Sequence, residues 1–256
     1  MQIANVMKVK IVIIPVHNQL PFVKKCVESV LIKSPTAKII VIDDGSTDKE
    51  THDWIKNGKN FIRLYNEKAQ RFSAACNMGI DYTMTHFDFN CLCLLNSDAE
   101  IVTQDWFTKV EECYVFGNNI GIAGVVSDNA LMQTIKNIPK YLKVIDDKPT
   151  IYCNIIHGFC YFIGKKLIEK IGRLDGDLFP HYGSEDDYSL KAIQEGFHNL
   201  IVGNVFVKHH NETSYSHSVR AKYLKKTLPA LIKRWGAVYV DKCVRQAMEA
   251  NKYLNK

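Results

Sequence analysis

The stretch that decides the fold runs from Ile39 to Asp48 and reads Ile-Ile-Val-Ile-Asp-Asp-Gly-Ser-Thr-Asp. Its first half is a run of β-branched residues, which predicts a strand buried on both faces. Its second half holds the turn former Gly45 and a capping side chain, Ser46 or Thr47, for a following helix. A buried strand that ends in paired carboxylates and leads into a helix is typical of nucleotide-binding α/β sheets.

The same order of strand, polar turn and helix recurs on both sides of this stretch. Val9 to Val16 predicts a buried strand that ends in the polar turn Pro15 to Asn18. Cys91 to Leu95 predicts another, followed by Asn96 to Asp98, and Phe61 to Tyr65 predicts a third. Strands that alternate with helices predict a mostly parallel sheet covered by helices on both faces, with the ligand at the carboxyl ends of the strands.

The second half of the chain is less regular. Three further strands are predicted over Ile120 to Val126, Ile155 to Ile163 and Leu200 to Val207, and a helix over Asp186 to Glu195. The irregular segment from Asp128 to Thr150 is where we expect the determinants of substrate choice.

The composition is that of a folded globular protein, with 46% hydrophobic and 23% charged residues among 256. No apolar run approaches the ~20 residues that span a bilayer, and Met1 to Lys10 lacks the features of a secretory signal. We therefore expect a cytoplasmic protein, at most bound to a membrane surface. The eight cysteines contain no pair with zinc-finger spacing, which favours buried free thiols.

Positive charge is concentrated at the C-terminus. The chain carries a net charge of +6, and the segment from Ser218 to Lys256 has ten Lys or Arg against two Asp or Glu. This segment has a helical pattern with expected breaks at Pro229 and Gly236. Two interpretations remain open: a surface that docks on anionic lipid, including a lipid diphosphate, and helices that pack back on the body of the protein.

Three polar clusters have residue types suited to catalysis. Asp98, at the end of a strand, is a good ligand for a hard cation that bridges two phosphates. Glu185 and Asp186, with the next carboxylate beside them, raise one another's proton affinity, as a general base requires. His209 shares the strand face of Val205 and Val207, so it is better placed to enter a cleft than His210.

Together these residues resemble the inverting glycosyltransferases of family 2, in particular its rhamnosyltransferase-like members. The resemblance lies in four segments and extends from about Lys8 to about Ser214. These segments are Ile11 to Asn18, Ile40 to Asp48, Asn66 through Ile80, and Leu94 to Ile101. It implies a GT-A fold, with a Rossmann-like, mostly parallel central sheet flanked by helices and a C-terminal helical extension.

The resemblance also implies roles for individual residues. Those expected to hold the nucleotide, including its diphosphate, are Pro15, His17, Asn18, Asp44, Arg71, Asn77, Asn96 and Ser97. Asp98 and His209 would bind a divalent cation, Mn²⁺ or Mg²⁺, with Asn96 where many relatives have a first Asp. Gly158 and Phe159 would line the acceptor side. Glu185 or Asp186 would be the catalytic base, and the resemblance does not decide between these two residues.

The implied organisation is a glycosyltransferase domain over residues 1–217 and a basic helical extension over 218–256. The domain would have a nucleotide-binding half at about 8–100 and an acceptor-binding half at about 101–217. The partners would be a nucleotide-sugar donor and a glycan or lipid-linked saccharide acceptor, with peripheral membrane contact through the basic C-terminus and no nucleic acid. A sugar nucleotidyltransferase and a catalytically inactive nucleotide-sugar-binding module remain as alternatives.

Overall fold

The computed structural model describes residues 8–117, 119–136, 148–211 and 217–255. The first half of the chain alternates strands and helices. Its elements are β1 (Ile11–Val16), α1 (Leu20–Lys33), β2 (Lys38–Asp44), α2 (Lys49–Asn57), β3 (Ile62–Asn66), α3 (Phe72–His86) and β4 (Cys91–Leu95).

In the described residues the second half has five strands and five α-helices. Its elements are β5 (Ala99–Ile101), α4 (Trp106–Phe116), β6 (Ile120–Val126), a 3₁₀ turn (Leu131–Gln133), β7 (Thr150–Tyr152), β8 (Cys160–Gly164), α5 (Lys165–Ile171), α6 (Ser184–Gln194), β9 (His198–His209), α7 (His217–Trp235) and α8 (Ala237–Leu254). Residues 137–147 of the segment expected to govern substrate choice lie outside the described residues.

The strands form one central sheet in the order β3-β2-β1-β4-β8-β6-β9-β5, with β7 also paired to β9. The predicted parallel arrangement is confirmed for β1 to β4, which are all paired in parallel. In the second half β8 runs antiparallel to both β4 and β6, so the sheet as a whole is mixed. The carboxyl ends of β1, β2 and β4 therefore meet at one edge.

The sheet is covered on both faces, as predicted. Ile11 and Ile13 of β1 belong to one core cluster, with α3, α6 and α8, whereas Val12 and Ile14 belong to the other, with α1, α2 and α4. This alternation follows from the two-residue period of a strand. Eight cysteines are free thiols, seven of them buried, as expected.

Three local predictions were wrong: the start of one strand, the cap of α2 and the helix break expected at Pro229. The strand expected from Ile155 begins only at Cys160, because the residues before it turn away to bond with side chains; the N–H of His157, for example, donates to Oε1 of Gln133 at 2.5 Å. Helix α2 is capped by Asp48, whose carboxylate accepts from the N–H of Thr51 at 2.7 Å, and not by the two residues before it.

The C-terminal helices pack against the body of the protein. On α8, Cys243, Ala247 and Leu254 are buried in the main core. Helix α7 continues through Pro229, which does not break it, and ends at Trp235 before Gly236. None of the helices in the described residues combines the length and the apolarity that a bilayer-spanning helix requires.

Candidate active site

A cleft opens at the carboxyl ends of β1, β2 and β4. Eight of the residues singled out in the sequence line it: Pro15, His17, Asp44, Asn96, Ser97, Asp98, Glu185 and His209. Gly158 and Phe159, expected on the acceptor side, line it as well. The remaining four, Asn18, Arg71, Asn77 and Asp186, are not among its lining residues.

Asp98 and His209 are brought together by the pairing of β5 with β9. These strands are antiparallel and Ala99 is the register partner of His209, so Asp98 lies beside the histidine. The backbone N–H of His210 also donates to the carbonyl oxygen of Asp98 at 3.1 Å. Asp98 Oδ1 and His209 Nε2 are 3.4 Å apart, and both side chains are largely buried.

The ring of His209 is held in one orientation. Its Nδ1 lies 2.8 Å from the carbonyl oxygen of Asn129, so Nδ1 carries a proton and Nε2 points toward Asp98. Phe159 stacks on the ring at 5.1 Å between centroids. Although burial opposes the charged form, the hydrogen bond with Asp98 and its negative charge raise the pKa of His209. A cation bound at Nε2 would displace the proton that Nε2 carries in the charged form of the ring.

Asp98 and His209 suit a divalent cation but do not enclose one. Among the described residues, no group of three or more His, Cys, Asp or Glu side chains is arranged to hold a metal ion. The amide of Asn96 lies beside the pair, with Nδ2 3.5 Å from Nε2 of His209. One carboxylate and one oriented imidazole leave room for oxygen ligands from a diphosphate and from water.

Asp44, at the end of β2, organises its side of the cleft through a buried carboxylate. Oδ1 accepts from Asn66 Nδ2 and from the N–H of Gln70, and Oδ2 accepts from the N–H of Arg71, each at 2.8 Å. These bonds fix the loop between β3 and α3. Gly45 makes this possible, because a Cβ there would lie 2.6 Å from the backbone nitrogen of Ala69.

Arg71 has a backbone conformation that few residues other than glycine adopt, with φ 78° and ψ 172°. Such a conformation costs about 1–3 kcal/mol and persists only where the surroundings impose it. The carboxylate of Asp44 holds its N–H, and its Nε donates to the hydroxyl of Tyr223 on α7 at 3.2 Å. The guanidinium is therefore directed toward α7.

Three predicted nucleotide residues connect loops. Asn18 has φ 62°, and its Oδ1 accepts from the N–H groups of Thr47 and Asp48 at 2.8 and 3.0 Å. His17 Nδ1 lies 2.9 Å from the carbonyl oxygen of Asp44, which ties the turn after β1 to the end of β2. Asn77 pairs both polar groups of its amide with the backbone of Leu174 (2.9 and 3.0 Å).

Of the three consecutive acids Glu185, Asp186 and Asp187 (the acidic triplet), only Glu185 lines the cleft. It is the second residue of helix α6, and Ser184 Oγ donates to its Oε2 at 2.8 Å. Burial and the negative charge of Asp186 raise the pKa of Glu185 from 4.5 to about 7. Its side chain occupies space left by Gly158, where a Cβ would lie 2.0 Å from Oε1 of Glu185.

The other two acids of the triplet point elsewhere. Asp186 lines a separate, mostly apolar pocket between α6, α7 and α8, where burial and the charge of Asp187 raise its pKa to about 6. Asp187 is fully buried and accepts from Arg234 Nη1 and Trp235 Nε1, each at 2.9 Å, at the end of α7. The resemblance left Glu185 and Asp186 as alternatives for the catalytic base, and of these two residues only Glu185 lines the cleft.

Several site residues were not predicted from the sequence. His181 and Tyr182, just before the acidic triplet, also line the cleft. Tyr223 packs against His181 at 5.6 Å between ring centroids. The position of His181 and Tyr182 next to a Gly and three acids was a usable signal, whereas nothing near Tyr223 in the sequence links it to Arg71.

The structure has a GT-A-type fold, with an Asp–His pair and a facing carboxylate at the edge of a Rossmann-like sheet. Residues 11–172 match the family model described as glycosyl transferase family 2. The chain belongs to glycosyl transferase family 2. A search of curated proteins gave no match.

Three of the 375 matching chains of solved structures illustrate the shared fold. The mannosyltransferase PcManGT from Pyrobaculum calidifontis, in complex with GDP-Man and Mn²⁺, is 14% identical with a TM-score of 0.64, over 98% of this chain and 74% of that one. GalNAc-T7 with UDP, GalNAc and Mn²⁺ is 17% identical with a TM-score of 0.66, over 93% and 50%. TarS 1–349 of S. aureus is 11% identical with a TM-score of 0.55, over 88% and 72%. At these identities the likeness establishes the fold.

Proposed function

We propose that this glycosyltransferase moves a hexosyl group from a nucleoside-diphosphate sugar to an acceptor hydroxyl, with inversion at the anomeric carbon. The observation that carries the proposal is that Glu185 and the Asp98–His209 pair line the same cleft. One side thus offers a base for the acceptor, and the other offers ligands for a cation at the diphosphate.

Asp98 and His209 are the proposed cation ligands. A divalent cation there would stabilise the negative charge that develops on the departing nucleoside diphosphate. The imidazole favours Mn²⁺ over Mg²⁺, because Mg²⁺ prefers oxygen ligands. Mn²⁺ in the structures of PcManGT and GalNAc-T7 supports the same assignment.

Glu185 is the proposed base. With a pKa of about 7 it is poised to take a proton at neutral pH, as an efficient general base requires. The acceptor oxygen forms its bond to the anomeric carbon on the face opposite the nucleotide as the bond from that carbon to the diphosphate oxygen breaks. Asp186 is not proposed for this role, because it lines the separate apolar pocket and not the cleft.

The nucleotide side of the site is proposed to lie within residues 8–100 and the acceptor side within 101–217. On the nucleotide side, His17 and Asp44 line the cleft directly. Asn18 contributes by fixing the loops around them. The acceptor is proposed to be a glycan or a lipid-linked saccharide, and the site to work in the cytoplasm.

The test is turnover with a panel of nucleotide sugars and Mn²⁺, read as release of nucleoside diphosphate. We expect Asp98→Ala and Glu185→Gln each to reduce turnover by ~100-fold or more. Asp177→Ala, a change at an exposed loop carboxylate, is the matched control and should retain full turnover. Pyrophosphate release from nucleoside triphosphates without turnover of nucleotide sugars would make the protein a nucleotidyltransferase instead.

A further inference from the structure

A second pocket lies between α6, α7 and α8, apart from the cleft. Its volume is about 200 Å³, and none of the residues that line it also lines the cleft. An apolar cavity of about 150 Å³ can hold benzene, so this pocket has room for a ligand of roughly nine non-hydrogen atoms. Eight of its ten lining residues are apolar, and the other two are Asp186 and Thr227. The pocket is therefore an apolar chamber that contains a single acid.

Helices α7 and α8 supply most of the apolar wall. Leu224 and Leu228 are one turn apart on α7, and Val240 and Val244 are one turn apart on α8, so each pair lies on one side of its helix. Leu224 and Leu228 are 46% and 55% exposed, which shows that the pocket is open to solvent on the α7 side. A ligand can therefore reach the pocket without a rearrangement of the helices.

Asp186 is the acid of this pocket, and its carboxylate has no partner within the protein. In the part of the chain that the structure describes it forms no hydrogen bond and no ion pair. Its neighbour Asp187, by contrast, pairs with two cations, Lys191 Nζ at 2.8 Å and Arg234 Nη1 at 2.9 Å. Burial and the charge of Asp187 raise the pKa of Asp186 to about 6, so this carboxyl is mostly ionised above neutral pH.

The side chains of the pocket offer a ligand one strong polar interaction. The hydroxyl of Thr227 is already used within the protein, by the carbonyl oxygens of Tyr182 and Tyr223 at 3.2 and 3.1 Å. The carboxylate of Asp186 can only accept hydrogen bonds, and a charge withdrawn from water is costly until it is paired. An ammonium group meets both needs, since hydrogen bonds between ions are the stronger ones in proteins.

Most of the positive charge of α7 lies away from the pocket. At 100° per residue, Lys222, Lys226 and Lys233 are about 160° to 200° around the helix axis from Leu224, on the opposite side of α7. An uncharged apolar ligand would leave the carboxylate of Asp186 unpaired, and an anionic ligand would be repelled by it. The lining therefore favours a cation with an apolar body.

We propose that the pocket between α6, α7 and α8 binds a small amphiphilic amine. Its ammonium pairs with Asp186, and its apolar body of about eight carbons packs against α7 and α8. Because Asp186 follows Glu185 in α6, the bound amine lies beside the helical turn that carries the proposed base. Binding requires neither a nucleotide sugar nor turnover, so it is tested independently of the proposed transferase activity.

The test is an NMR titration of the full chain, labelled with ¹³C at the methyl groups of Leu, Val, Ile and Met, without nucleotide sugar. All eight apolar residues of the pocket carry such methyl groups. The probe is 2-phenylethylamine, and 2-phenylethanol and phenylacetate are its neutral and anionic counterparts of similar size. At about pH 8, where the ammonium and Asp186 are both ionised, we expect the methyl signals of the pocket to shift with millimolar affinity for the amine. The amine should bind at least about tenfold more tightly than either counterpart.

Two variants test the carboxylate and the cavity separately. Asp186→Asn keeps the size of the side chain and removes its charge, so amine affinity should fall by at least about tenfold while that of 2-phenylethanol changes by less than about threefold. Asp177→Asn, at an exposed loop carboxylate, is the matched control and should leave both affinities unchanged. Val244→Phe fills the pocket and should weaken both ligands by at least about tenfold, whereas Val238→Phe, at a residue of the same helix that is 86% exposed, should not. Unchanged melting temperatures show that each variant is folded.

Three results would overturn the proposal. One is the absence of any shift in the methyl signals of the pocket up to the solubility limit of the amine. Another is an amine that binds no more tightly than 2-phenylethanol, which would make the pocket a site for uncharged apolar ligands. The third is amine binding that keeps its full strength in Asp186→Asn, which would place the ammonium group elsewhere.

Discussion

Gly158 leaves the space in which the side chain of Glu185 lies, so Gly158→Ala tests the assignment of the base. A methyl group at this position would lie 2.0 Å from Oε1 of Glu185 and 2.6 Å from its Cδ and Cγ. To reach an ordinary contact distance of about 3.4 Å, the carboxylate must move by roughly 1.4 Å. The three nearest atoms all belong to this flexible side chain, so the backbone can keep its place.

The displacement is large for a catalytic group. A misplacement of about 1 Å costs ~100-fold in rate, because the base must lie within hydrogen-bond reach of the acceptor hydroxyl. We therefore expect turnover of Gly158→Ala to fall by ~100-fold. Nucleotide affinity and the melting temperature should change little, since only the side chain of Glu185 moves and the backbone keeps its place.

The assay is the initial rate of nucleoside diphosphate release, with nucleotide affinity followed by thermal shift in the presence of Mn²⁺. The matched control is Gly176→Ala. A Cβ at Gly176 would lie 3.6 Å from its nearest neighbour, Cβ of Ser73, which is an ordinary contact. This control should retain the wild-type rate.

The result that would refute the reasoning comes from a double-mutant cycle. In a Glu185→Gln background the base is already lost, so adding Gly158→Ala should have little further effect. If Gly158→Ala slows both backgrounds by the same factor, the methyl group obstructs the acceptor and the base is not displaced. A wild-type rate for Gly158→Ala alone would also contradict the proposed position of the base.

Four further predictions concern the charges of the site. Because the proposed base acts as a carboxylate, kcat/KM should rise as the pH increases through about 7. Asp186→Asn removes a neighbouring negative charge, so it should move this rise in the pH profile to lower pH. A rise at the same pH in both proteins would contradict the assignment of Glu185 as the base. A carboxyl whose pKa rises on folding from 4.5 to about 7 loses stability as pH increases between these values, so Glu185→Gln should melt higher at pH 8 in calorimetry, by a margin that vanishes near pH 4. Arg234→Gln should lower the melting temperature by several degrees, because it deprives the buried carboxylate of Asp187 of a partner. Arg245→Gln, which breaks an exposed ion pair, should change the melting temperature by less than about 2 °C. Equal shifts in the two variants would contradict this prediction. Asn96→Asp, which adds a second carboxylate beside the Asp–His pair, should reduce the Mn²⁺ needed for half-maximal turnover by about tenfold, and an unchanged titration would argue against a cation there.

The predictable part of the fold is the part whose signal is local. The runs that became β1, β2 and β4 are continuous apolar segments followed by polar turns, so both the strands and the position of the ligand edge follow from the sequence. Asp98 and Asp44 could be placed at the cleft for the same reason, since each lies at or just after the end of a buried strand.

The other part depends on contacts between residues far apart in the chain. β5 has only three residues, too few for a periodic signal, yet its register with β9 puts Asp98 beside His209. The orientation of His209 depends on the backbone of Asn129, and that of Arg71 on Tyr223, 152 positions later. Such pairings follow from the tertiary fold and leave no local pattern to read.

The acidic triplet shows why adjacency in sequence does not give a shared role. Consecutive residues at the start of a helix are separated by about 100° around its axis, so three neighbours cannot all face one cleft. Glu185 faces the cleft, Asp186 faces the apolar pocket, and Asp187 accepts hydrogen bonds from the end of α7. The helix that carries the base is therefore tied to the C-terminal helices through the third acid. It follows that α7 supports the proposed base from one side and, through Tyr223, packs against the cleft residue His181 from the other, so the basic segment is part of the candidate active site.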